Sequence, residues 1–193
     1  MALQRLVIDG FGQCELNNAA FRRDGRIEAQ CELDATDFAT DVAENGMLLA
    51  VDKINKTIKY AVDASLPIAL NYSAEHMYDD RANGLKDFSL KRGEFYPRVG
   101  YLAVGDLFTT NCICYDDEEF EAVTTQGEEA TAEEVFIEAL EDVATTQLYG
   151  GISANGAIKV SATKPTVGPV LAVVKKTTMP DGQLAVQFQV YEA

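Results

Sequence analysis

The chain has 193 residues, 47% of them hydrophobic, and a formal net charge of -15. That much apolar content builds a core and excludes a disordered acidic tail, while the charge disfavours direct nucleic-acid binding because phosphates would be repelled. No apolar run is long enough to span a bilayer, and MALQRLVIDGF places Arg5 and Asp9 where a secretion signal needs an unbroken apolar stretch, so neither a membrane nor export is expected.

In chain order, Leu3 to Ile8 and Gln13 to Leu16 read as strands, and Asp24 to Arg26 as a turn. Ile27, Ala29, Cys31 and Leu33 alternate with Glu28, Gln30, Glu32 and Asp34, the pattern of one half-buried strand. Met47 to Val51 and Thr57 to Val62 flank a bend at Asp52 to Lys56 and predict a hairpin, followed by a strand at Ile68 to Tyr72. From Ser73 to Phe95 the mixed charges and Gly84 and Gly93 suggest a short helix or an irregular loop. Val99 to Val104 and Leu107 to Tyr115 read as strands, and the acid-rich stretch from Asp116 to Glu129 as an exposed loop.

Thr131 with Glu134 three residues later is a capping box, and Val135, Ala139 and Val143 recur every four residues. A helix is therefore predicted over Ala132 to Ala144, stopped by Gly150 and Gly151. Strands at Ala157 to Ser161, Val170 to Lys175 and Leu184 to Val190 follow, the last two joined by a tight turn at Pro180, Asp181 and Gly182. The fold class expected is mainly β: a β-sandwich or β-barrel with one inserted α-helix. Residues 1–193 are expected to form a single β-rich domain, with room for two lobes, and 116–150 to be an acidic insertion of loop plus helix.

Charge is uneven. No lysine or arginine occurs from Val99 to Ile158, a span that holds 13 acids. A solvated acidic face explains this most simply. YDDEEFE lacks the alternating order that folds a loop around calcium, so only incidental cation binding is expected. The four cysteines, Cys14, Cys31, Cys112 and Cys114, read as buried free thiols, since with one histidine, His76, no zinc set is complete. His76 reads as a locally bonded loop residue. No phosphate-binding glycine loop and no nucleophile elbow is present. No cofactor and no enzymatic activity are expected.

Basic residues form small groups that suit a polar rim or a subunit contact: Arg22, Arg23 and Arg26; Lys53, Lys56 and Lys59; Lys91, Arg92 and Arg98; Lys175 and Lys176. Arg22, Arg23, Arg26, Lys91, Arg92, Arg98, Lys175 and Lys176 are the candidate interface residues. Phe95, Tyr96 and Tyr101 are the cluster nearest to an aromatic platform for a ligand, and are expected to be core or strand-packing residues instead.

FYPRVGYLAVGDLFTTN and GGISANGAIKVSATKPTVGPVLAVVKKTTMPDGQLAVQFQV, with GMLLAVDKINKTIKYAV and LNYSAEHMYDD upstream, resemble small structural proteins encoded beside the major capsid protein of tailed bacteriophages. The resemblance spans about two thirds of the chain and leaves out Asp116 to Gly150. It implies a virion component that decorates or stabilises the capsid, β-rich and without a cofactor. Its partners would be the major capsid protein or other virion subunits, including further copies of itself. It would reside in the bacterial host cytoplasm before assembly. The alternatives are a tail-tube or head–tail connector subunit, or a carbohydrate- or ligand-binding β-module.

Overall fold

A computed structural model describes residues 3–76, 85–120, 131–143 and 147–193, without the side chains of Glu75 and His76. The fold is mainly β, with two sheets and one helix longer than two turns, as expected for a sandwich carrying an inserted helix.

The first sheet has eight strands in the order β1-β10-β12-β11-β13-β14-β9-β2. These are β1 (Leu3–Arg5), β2 (Cys14–Asn18), β9 (Leu107–Thr110), β10 (Ile113–Asp116), β11 (Tyr149–Gly151), β12 (Ile158–Ser161), β13 (Val170–Thr178) and β14 (Leu184–Glu192). The second has six strands in the order β3-β8-β7-β5-β6-β4. They are β3 (Ile27–Glu28), β4 (Glu32–Leu33), β5 (Leu48–Asp52), β6 (Thr57–Tyr60), β7 (Ile68–Asn71) and β8 (Val99–Gly100).

Both sheets must curl, because chain connectivity leaves no alternative. β3 and β4 are opposite edges of the second sheet. Flat, they would lie about 24 Å apart at the usual strand spacing. The chain from Glu28 to Glu32 reaches only about 14 Å. Lys53, at the end of β5, accordingly meets both Glu28 on β3 (3.4 Å) and the Tyr101 ring beyond β8 (5.1 Å to its centroid). The first sheet obeys the same constraint. β9 and β10 are five places apart in the sheet yet joined only by Asn111 and Cys112.

That junction corrects one expectation. Leu107 to Tyr115 is two strands, broken where the Cys112 N–H turns back to the Thr110 hydroxyl (3.0 Å) and the Asn111 side chain accepts the Gln13 N–H (2.7 Å). The alternation from Ile27 to Leu33 is likewise two strands. Glu28 bends the chain by accepting the N–H groups of Ala29 and Gln30 (3.0 and 2.8 Å). The Val99 to Val104 strand stops at Gly100, because Asp106 takes the Ala103 N–H (2.9 Å) and folds the segment into a turn. Gly150 and Gly151 lie in β11 and do not stop the helix. A Cβ on Gly150 would stand 2.8 Å from Ile158 and 2.9 Å from Phe188, so the close strand packing requires glycine there.

The core has two parts. Phe108, Ile113, Ile158, Leu171, Val186 and Phe188 fill the first, together with Leu48 and Leu70 from the second sheet. Leu33, Phe38, Leu49, Val51, Ile58, Leu90 and Val99 fill the second, together with Cys112 from the β9–β10 junction and Cys114 from β10. Alternate residues of β5 and β10 thus serve different parts, and both strands are buried on both faces. A four-residue helix, α1 (Phe21–Asp24), inserts the fully buried Phe21 against Tyr72.

The helix expected from the capping box, α2, spans Ala132–Glu141. Residues 121–130 and Ala144, parts of the expected loop and helix, lie outside the described residues. Asp116 and Phe120, also assigned to the exposed loop, are buried. Phe120 and Phe136 of α2 close an aromatic cluster on Tyr115. At the start of α2 the Thr131 hydroxyl accepts the Glu134 N–H (3.3 Å), and Glu134 accepts the Thr131 N–H (2.9 Å). The Thr131 N–H and then its hydroxyl hold the Glu134 carboxyl below the usual glutamate range. A lowered folded pKa gives a contribution that is complete above the unfolded value of about 4.3 and is lost as pH falls through the folded one. Amide exchange in the first turn of α2, corrected for intrinsic rates, is therefore expected to quicken from neutral pH to about pH 3 in the wild type and to stay level in Glu134→Gln. Equal acid responses in the two proteins would contradict this.

Candidate interaction surface

Two loops at one end of the second sheet hold apolar side chains in solvent. The first runs from Lys91 to Pro97. The Glu94 N–H donates to the Lys91 carbonyl (3.2 Å), and the Lys91 N–H donates to the Glu94 carboxylate (3.0 Å). Gly93 takes the left-handed conformation (φ 85°) that such a turn needs. The Arg92 Nε donates to the Leu33 carbonyl (3.1 Å) and fastens the loop to β4, while Pro97 is buried. Phe95 and Tyr96 are 61% and 50% exposed, contrary to the expectation that they pack in the core or against strands. The buried residues before and after them, Leu90 and Val99, anchor the loop and leave the two rings outside. With Glu32, Leu33, Gly93 and Glu94 they line a groove of about 380 Å3.

The second loop is the β5–β6 hairpin tip, Lys53 to Lys56. Asp52 accepts the N–H groups of Ile54 (3.1 Å) and Asn55 (2.9 Å) on one oxygen and the Asn55 amide (2.7 Å) on the other. Those donors, the Asn55 N–H first, hold the Asp52 carboxyl below its ordinary range. Lys56 completes the turn in the left-handed region (φ 54°). The result is a fixed tip whose Ile54 is 93% exposed. The two loops are neighbours, since the Glu32 N–H donates to the Lys56 carbonyl (2.9 Å).

The basic residues singled out in the sequence lie on separate elements. Arg22 and Arg23 are exposed on α1. Arg26 is half-buried and reaches Asp106 (3.5 Å) and Asp24 (3.7 Å), so it serves the fold. Lys91 and Arg92 flank the aromatic groove, and Arg98 is half-buried just beyond it. Lys175 is exposed on β13, whereas Lys176 pairs with Glu141 (2.6 Å). Both line a second groove, between α2 and the β13–β14 hairpin, with Leu140, Val143 and Leu184.

The acids near Asp116 are engaged in structure. Asp116 caps the 3-10 turn Asp117–Glu119 and reaches Lys159 (3.4 Å). Glu119 accepts the Ala162 N–H and the Ser161 hydroxyl. Among the described residues no three His, Cys, Asp or Glu side chains gather to hold a metal. All four cysteines are free thiols. Burial raises the pKa of Cys31 and Cys112 and pushes Cys114 up to about 11, which suppresses the thiolate. The His76 side chain, the only imidazole, lies outside the described ones. Among the described residues no helix is long and apolar enough to cross a membrane.

Ile54 was not singled out by the sequence reading. The signal was present: DKINK puts a β-branched apolar residue at a bend where Asn, Asp or Gly is usual. No protein family, curated protein or solved structure matches the chain in comparison, so the geometry of these loops stands by itself.

Proposed function

We propose that the chain is a non-enzymatic structural protein of a tailed-bacteriophage virion that stabilises the capsid by binding the assembled lattice of the major capsid protein. The observation that carries this reading is the set of exposed apolar side chains: Ile54 (93% exposed), Phe95 and Tyr96 on the two anchored loops, and Val7 (78%), Val62 (72%) and Val104 (69%) on connecting segments. Interfaces draw their energy from such anchors, and sheet-held turns lose little freedom on docking. The resemblance of the FYPRVGYLAVGDLFTTN and GGISANG stretches to capsid-associated proteins supports the same reading. The chain binds the lattice and not free capsid subunits, so it shifts the assembly equilibrium by mass action, and many copies add up weak contacts.

The test mixes the purified chain with undecorated shells. Saturable co-sedimentation at about micromolar concentration, absent with unassembled capsid protein, is the expected result. Failure to sediment with shells, or assembly of the purified chain into tubes or rings, would overturn it.

A further inference from the structure

The hairpin tip and the aromatic groove fit each other. We infer that this end of the second sheet is an interface between two copies of the chain, in which Ile54 of each copy enters the Leu33–Phe95–Tyr96 groove of the other. The inference rests on the reading of the chain as an assembly protein and names the surface and the partner.

Four observations support it. Ile54 stands 93% exposed on a tip that Asp52 holds rigid, so burying it releases water at little entropic cost. The groove of about 380 Å3 draws its exposed apolar surface from the two half-exposed rings of Phe95 and Tyr96, with the buried Leu33 at its base. Its size is at the small end of the range for pockets that enclose a ligand, about 300–1,000 Å3, and suits a hairpin tip better than a large ligand.

Charge supplies the third. Lys53 is occupied by Glu28 and the Tyr101 ring, but Lys56 makes no ion pair among the described residues. The groove carries Glu32 and Glu94, neither with a cationic side-chain partner among those residues. An apolar tip beside a lysine thus faces an apolar groove beside two carboxylates. The fourth is placement. The Glu32 N–H bonds the Lys56 carbonyl, so tip and groove share one continuous patch. A two-fold contact demands this, because residue i must meet j while j meets i. Lys56 of one copy then faces Glu32 of the other.

The test is the oligomeric state of the whole chain, by sedimentation velocity and light scattering from about 1 µM to 1 mM, the range in which small interfaces dissociate. A concentration-dependent dimer is expected. Ile54→Asp, on an exposed tip, should weaken it at least about 30-fold. Lys56→Glu and Glu32→Lys should each weaken it about tenfold, and the double exchange should restore it to within about threefold of wild type. Circular dichroism confirms that each variant is folded. Should Ile54→Asp misfold, the charge exchange still decides. A monomer at every concentration, a dimer indifferent to Ile54→Asp, or a double exchange without rescue overturns the inference. So does a monomer that binds a glycan array through Tyr96. A monomer that nevertheless co-sediments with shells overturns the dimer and leaves the capsid reading intact; a dimer that ignores shells does the reverse.

Discussion

Glu44→Ala is expected to lower the unfolding free energy by about 3 kcal/mol, the lower end of the cost of breaking a buried ion pair from one side. Both oxygens of Glu44 are engaged. Arg5 Nη1 donates to Oε1 (2.5 Å) and Nη2 to Oε2 (2.8 Å), and Oε2 also accepts the Gly12 N–H (2.6 Å). The Glu44 side chain is 8% exposed and that of Arg5 is 32% exposed. Removing the carboxylate strands a largely covered guanidinium and a buried N–H together, and water reaches Arg5 enough to keep the loss from the upper end. The pair joins β1 to the loop before β5, and Arg5 also touches the Cys112 sulfur (3.7 Å) at the β9–β10 corner. Urea unfolding at neutral pH should show a lower midpoint with an unchanged slope. Glu44→Gln, which keeps an acceptor for Gly12, should lose less. A loss under about 1 kcal/mol in Glu44→Ala would show the pair to be as dispensable as an exposed one.

Phe136→Ala should cost about 3–5 kcal/mol, the usual range for truncating a buried phenylalanine. Phe136 and Leu140 are the buried residues of α2. The Phe136 ring stacks on Tyr115 at 4.5 Å and meets Phe120 edge-on at 5.1 Å, so its removal leaves a void among aromatic walls that cannot easily collapse. Hydrogen exchange should locate the damage. Protection in Ala132–Glu141 should fall first, while the β13–β14 hairpin retains most of its own. Uniform loss over both elements would mean that α2 and the sheet open as one unit.

The sequence was readable wherever structure is local. The β13–β14 hairpin, its Pro180–Gly182 turn, the β5–β6 hairpin and the capped start of α2 all depend on neighbours within a few residues, and all are found near their expected bounds. What failed was continuity. Ile27 packs with the first part of the core, and Cys31 and Leu33 pack with the second, so an unbroken alternation conceals a chain that moves between the opposite edges of one sheet. Leu107 to Tyr115 hides its corner because burial continues unbroken from Phe108 to Tyr115, through the polar Thr109, Thr110 and Asn111. Period-two patterning reports burial and not which core a face meets. The contact surface was less legible still. FYP reads as core because its rings are large, and only the anchoring of both ends of a short loop keeps them outside. Basic residues drew attention by charge alone, yet Arg26 and Lys176 turned out to be bound within the fold.

The rolling of the two sheets bears on how such a chain stays dispersed when made in bulk. A β-rich molecule aggregates most readily by pairing further strands side by side along a long, flat, open border. Here the outermost strands are stubs: β1, β3 and β4 have 3, 2 and 2 residues, and β2 has 5 with an irregular register. Charged side chains, among them Arg5, Glu15, Glu28 and Glu32, sit on those stubs. Among the described residues fibre growth therefore finds only short, charged borders, which favours contacts made through side chains over strand addition.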